Sequence, residues 1–202
     1  MGQLSLNREY RIPLLSYILL ILTVFILKFI FDPGTVFSIS AALMLLIPFL
    51  VKNEYNYFEF NIRGFIKGVF ISLCIIAVYF AVRLAYGLIS GIEPGIRDVG
   101  ISFFIIQLVL VAVPEELFFR GYLQRELGNN YRAVIVTSIL FAIAHLLIVC
   151  ATTGGLNVCV QNGLTFFPSL VMGYLYLKTE TLWSSIFFHF IANVVHILLI
   201  FT

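Results

Sequence analysis

Long apolar runs separated by short polar breaks organise the whole chain. Seven of them, at about 13–31, 34–51, 65–90, 99–123, 132–151, 163–177 and 181–201, have roughly the 17–25 residues a helix needs to cross a bilayer. The breaks carry turn residues or charge: Asp32-Pro33-Gly34, the polar run Lys52 to Arg63, and Gly91 to Gly100 with Pro94. Gly128-Asn129-Asn130, a loop from Thr152 to Asn162, and Lys178-Thr179-Glu180 follow. Backbone groups in hydrocarbon must bond within their own segment, and no barrel-like alternation is present, so the runs are predicted to be helices. The expected fold is all-α, a polytopic membrane helix bundle of about seven transmembrane helices. No internal repeat or low-complexity linker divides it. Residues 1–98 hold the first three helices and 99–202 a helical core, together one integrated membrane domain. Arg8 and Arg11 before the first run suit a signal peptide, but the run to Phe31 is too long and lacks a small-residue cleavage site, which predicts a retained helix.

Composition agrees with a lipid solvent. Of 202 residues, 61% are hydrophobic and 11% charged, with a mean hydropathy of +1.07. A soluble domain is about 45–50% apolar and about 25% charged. The net charge of +2, with no basic tract, gives no sign of a nucleic-acid partner. The basic residues also predict an orientation. With the N-terminus in the cytoplasm, Arg8, Arg11, Lys52, Arg63, Lys67, Arg120, Arg125, Arg132 and Lys178 fall inside, and only Lys28, Arg83 and Arg97 outside. That asymmetry predicts N-in, C-out. Cys74, Cys150 and Cys159 show no CxxC spacing, which speaks against a zinc knuckle or redox motif. Cys150 and Cys159 bracket the inferred outer loop, where a disulfide or apolar packing suits them equally. Arg83, near the outer end of the third run, is expected to snorkel.

Polar residues within the runs then carry the functional signal. The fourth run contains Pro114-Glu115-Glu116-Leu117-Phe118-Phe119-Arg120. Carboxylates in an apolar helix are costly and usually face a cavity where they do work. Glu116 and Arg120 are spaced for an ion pair along one helical turn, and Glu115 points about 100° away. The apolar residues after the pair argue against solvated charges at the interface. His145 stands alone among apolar residues in the fifth run, and His189 and Asn193 share a helix face in the seventh. His196 follows on much the same face and is read as packing or supporting. At about 1.5 Å per residue, Glu115 and His189 lie about 12 Å deep and His145 about 20 Å. A desolvated carboxylate beside an imidazole can deprotonate water, and His and Asn side chains can donate to an oxyanion. Glu and two His could instead hold zinc, although HExxH is absent.

These residues resemble the CPBP family (CAAX prenyl proteases and bacteriocin-processing enzymes, also called the ABI family). Its motifs EExxxR, FxxxH and HxxxN correspond to Glu115-Glu116…Arg120, Phe141…His145 and His189…Asn193, in the family's order. The resemblance covers about 115–193, and the first three helices match no motif. It implies a glutamate-dependent intramembrane endopeptidase without a cofactor. Glu115 and His145 would activate water, His189 and Asn193 would stabilise the oxyanion, and Glu116 and Arg120 would support Glu115. The alternatives are a zinc metalloprotease with Glu115, His145 and His189 as ligands, or a non-catalytic bacteriocin-immunity or peptide-binding membrane protein. A proton-relaying transporter ranks last, for want of broken helices or paired repeats. The implied partners are the lipid bilayer and a membrane-anchored or lipid-modified protein or peptide, cut near its C-terminal tail or a membrane-proximal segment. At this length, shorter than the eukaryotic prenyl-protein enzymes, the implied location is the plasma membrane of a bacterium or archaeon. Substrate identity and oligomeric state are not written in the sequence.

Overall fold

A computed structural model describes residues 8–52, 56–153 and 155–201, and their side chains except at 8, 9, 149–153, 156 and 201. Helix α1 (Arg8–Leu27) and helix α2 (Pro33–Lys52) meet at the predicted Asp32-Pro33-Gly34 break. Asp32 caps α2. Its Oδ1 accepts from the Gly34 and Thr35 amides at 3.0 and 3.1 Å, and its Oδ2 from the Thr35 hydroxyl at 2.6 Å. Pro33 takes the first helical position, where no amide hydrogen is needed. The Thr35 hydroxyl, and then the backbone amides, hold the Asp32 carboxyl below the usual carboxylate range.

Helix α3 (Ile62–Ser90) begins at Asn61, whose Oδ1 accepts from the Gly64 amide, and ends at Gly91 with φ +67°. Helix α4 (Ile101–Gln124), α5 (Tyr131–Thr153), α6 (Leu156–Gly163), α7 (Phe166–Thr179) and α8 (Leu182–Leu198) follow. Among the described residues six helical stretches are long and apolar enough to cross a membrane, the sixth (Asn157–Thr179) drawn from α6 and α7. The apolar α8 has 17 residues. The molecule is therefore an all-α polytopic bundle. Its outer surface is apolar, with Leu50 78% and Ile89 87% exposed, as lipid-facing side chains are.

Two elements depart from the predicted pattern. Helix α6 occupies the segment expected to be a loop from Thr152 to Asn162. Leu156, Cys159, Val160 and Gly163 recur at the helical interval, which the preceding Thr-Thr-Gly-Gly turn signal obscures. The last apolar run also leaves the helix early. Leu199–Phe201 (β2) pairs antiparallel with Pro94–Ile96 (β1), too short for an alternation to be read. Cys159 is disulfide-bonded and Cys74 is free, while the side chain of Cys150 lies outside the described residues.

Helix α4 runs through the core, with every residue from Leu117 to Gln124 buried. Its Phe118, Phe119, Tyr122 and Leu123 pack with Tyr17, Leu20 and Val24 of α1, Phe141 of α5, Leu175 of α7 and Phe188 of α8. On the opposite flank α3 approaches α7 and α8 closely. A Cβ at Gly64 would collide with the Thr179 carbonyl, and one at Gly68 with Ser184. Small residues four apart permit that backbone approach in lipid.

Candidate active site

The segment of α4 that carries the carboxylates is irregular. It is π-helical over Gln107–Ala112 and again over Leu117–Gln124, with one α-helical turn, Val113–Glu116, between them. Pro114 lies in that turn and offers no amide hydrogen to the preceding one. Widened turns of this kind are frequent at functional sites and redirect side chains that straight-helix spacing would aim elsewhere.

Glu116 and Arg120 form the predicted ion pair, both fully buried, with Nη1 2.9 Å from Oε1. Arg120 Nη2 donates to the Ser169 carbonyl at 3.0 Å and to its hydroxyl at 2.6 Å, on α7. The guanidinium also sits 4.9 Å from the ring centroid of Phe141. Glu116 Oε1 accepts a second hydrogen bond, from His189 Nδ1 at 2.9 Å. That carboxylate oxygen joins α4 to α8, and Arg120 extends the link to Ser169 on α7.

Glu115 faces elsewhere. Together with His145, His189 and Asn193 it lines a cavity of about 90 Å³ that Phe141 and Thr165 help close. One water needs about 10–15 Å³, so several fit by size. Straight-helix counting set His145 deeper than Glu115, yet the two share this cavity. Glu115 and His145 also line a second, larger cavity of about 150 Å³. Leu20, Ile21 and Val24 of α1 and Phe37, Ser40 and Met44 of α2 wall it.

The two cavity histidines are held differently. His145 Nδ1 lies 2.9 Å from the Phe141 carbonyl. A carbonyl only accepts, so Nδ1 carries the hydrogen and Nε2 of the neutral ring keeps its lone pair. His189 Nδ1 faces the Glu116 carboxylate, and its Nε2 lies 3.8 Å from Glu115 Oε2, beyond hydrogen-bond reach. That Glu115 oxygen is buried and accepts no hydrogen bond from the protein, a position that calls for a donor.

Asn193, one turn beyond His189, donates from Nδ2 to Oε1 of Gln107 on α4 at 3.1 Å. Gln107 and Ser169 are the polar residues that sequence reasoning passed over. For Gln107 a signal existed, since an amide in an apolar helix needs a partner. Ser169 sits in the run Phe166-Phe167-Pro168-Ser169 and carried none. His196 is not among the cavity's lining residues. Its Nδ1 accepts from the Tyr79 hydroxyl at 2.6 Å and from Arg83 Nη1 at 3.1 Å, and Arg83 Nη2 donates to the Leu199 carbonyl at 3.0 Å. Arg83 therefore clasps the end of α8, where its donors find acceptors, beyond the simple snorkelling expected of it.

Among the described residues no three His, Cys, Asp or Glu side chains stand where they could hold a metal ion, and this includes Glu115, His145 and His189. Residues 97–195 match the family model described as type II CAAX prenyl endopeptidase, Rce1-like. That stretch contains all seven motif residues and Gln107, and leaves α1 to α3 outside. No curated protein and no solved structure matches the chain.

Proposed function

Through residues 97–195 the chain belongs to the Rce1-like family of type II CAAX prenyl endopeptidases, a family of membrane proteases, and from that premise we propose a specific mechanism. The chain hydrolyses a peptide bond near the C-terminal tail or a membrane-proximal segment of a membrane-anchored or lipid-modified protein. The observation that carries this reading is one cavity lined by Glu115, His145, His189 and Asn193, with one histidine held by a backbone carbonyl and the other by a buried carboxylate.

Water attacks the scissile carbonyl carbon. Its proton passes to Glu115 or to the free Nε2 of His145, which the Phe141 carbonyl keeps in the accepting tautomer. The carbonyl electrons move onto oxygen, and the oxyanion takes hydrogen bonds from Asn193 Nδ2 and from the Nε2–H of His189. Collapse breaks the C–N bond, and the captured proton goes to the leaving amine. Glu116 and Arg120 hold His189 and the Glu115 turn in register. In this reading two residues of the same type take opposite tasks, one accepting a proton and one donating a hydrogen bond.

In the same reading the six long apolar spans together with α8 cross the plasma membrane of a bacterium or archaeon seven times, N-in and C-out, with the site in the cytoplasmic half. The test uses the purified chain in liposomes and a quenched fluorescent peptide with a prenylated CAAX tail. Glu115→Gln and His145→Ala are each expected to slow cleavage by about 10²–10⁴-fold while thermal unfolding stays near that of the parent. Cleavage at the parental rate in either variant overturns the assignment, and in Glu115→Gln it would favour a peptide-binding protein. Exhaustive dialysis against a chelator is expected to leave the rate unchanged. A loss restored by zinc would replace the side-chain mechanism with a metal-dependent one.

A further inference from the structure

Gln107 stands apart in α4. It is half-buried in a run otherwise apolar from Phe103 to Val113, and its neighbours Ile105, Ile106, Leu108 and Val109 face outward. An amide in such a run costs free energy unless paired. Its partner is Asn193 Nδ2, at 3.1 Å, on the helix that also carries His189. Gln107 lies in the first π-helical stretch of α4, which packs against α8, and Val111, one turn on, lines the cavity.

We infer that Gln107 is a positioning residue for Asn193, selecting the face its amide presents to the reacting centre. An asparagine amide is nearly symmetric in shape and opposite in chemistry at its two ends, one end donating two hydrogens and the other only accepting. Turned over, it would set a carbonyl oxygen against the developing oxyanion and repel it. With Oε1 of Gln107 turned toward α8, as it is here, that oxygen can only accept, and it holds Asn193 with Nδ2 toward α4. One hydrogen of the NH2 group is thereby held by Gln107, and the other is left for the substrate. A rigid donor is what oxyanion stabilisation requires, because reorientation during reaction cancels the gain. This inference rests on the proposed role of Asn193 in the cavity. Gln107 itself does not line the cavity.

The test is a double-mutant cycle with a conservative rescue, read on the prenylated peptide in liposomes. Gln107→Met keeps the length of the side chain and removes the acceptor. It is expected to lower kcat by about 10- to 100-fold with KM little changed, part of the cost of losing an oxyanion donor. Asn193→Ala with Gln107→Met is expected to be no slower than Asn193→Ala alone, because the glutamine has nothing left to orient. Gln107→Glu, which still accepts, is expected to be faster than Gln107→Met. A merely structural clasp predicts additive losses and equal rates for the Met and Glu variants, and either result overturns the inference. Its failure is separable from failure of the underlying reading. If Glu115→Gln is inactive and Asn193→Ala slow while Gln107→Met runs at the parental rate, only the positioning role falls. If Asn193→Ala runs at the parental rate, the oxyanion role falls first.

Discussion

Glu116 Oε1 receives hydrogen bonds from both Arg120 and His189, while its buried Oε2 receives none from the protein. A carboxylate so placed depends on its cation. Removing one partner of a buried pair leaves an uncompensated charge and costs about 3–5 kcal/mol. Arg120→Met is therefore expected to lower the thermal unfolding temperature strongly. Adding Glu116→Gln should recover part of that loss, since the stranded charge is gone. Equal or greater instability in the double variant would contradict this account. At this scale the sequence was informative wherever a polar residue repeated at helical spacing, as in Glu116 with Arg120 and His189 with Asn193. It was silent where the partner lies on another helix. Nothing local to Ser169 or Gln107 announces Arg120 or Asn193, because those contacts depend on which helices become neighbours.

Among the elements, α3 and α8 meet through Gly68 and Ser184, with no room for a Cβ between them. Gly68→Val would push apart two backbones that cannot yield cheaply, since the Ser184 Cα is itself within contact range. The expected outcome is destabilisation of about 1–3 kcal/mol, visible as a lower unfolding temperature in detergent. Loss of cleavage is also expected, because α8 carries His189 and Asn193. The cap of α2 gives a smaller, pH-dependent effect. The Asp32 carboxyl is held low, so its contribution is present above the unfolded pKa and is lost as pH falls through the folded one. Asp32→Asn should remove that acid sensitivity from the unfolding curve. Helix periodicity made most of these elements legible. The π-helical turns of α4 were not, since a widened turn leaves the apolar composition unchanged and alters only hydrogen-bond partners. Helix α6 was lost for a different reason, a turn signal immediately before it.

Across the whole molecule, 97–195 carries the family match and the motif residues, while α1 and α2 lie outside it. These outer helices nevertheless wall the 150 Å³ cavity that Glu115 and His145 share with the smaller one. That shared wall has a pharmacological consequence. A compound joining a compact hydrogen-bonding head, sized for the 90 Å³ cavity, to a short apolar tail for the other would occupy both. Linking the two parts raises the effective concentration of each, so inhibition should exceed that by head or tail alone by about 10²-fold or more. Met44→Trp, which fills the larger cavity, would weaken the linked inhibitor and leave the isolated head unaffected. Because the tail would read residues beyond the family's matched core, its selectivity would fall on this chain's own α1 and α2.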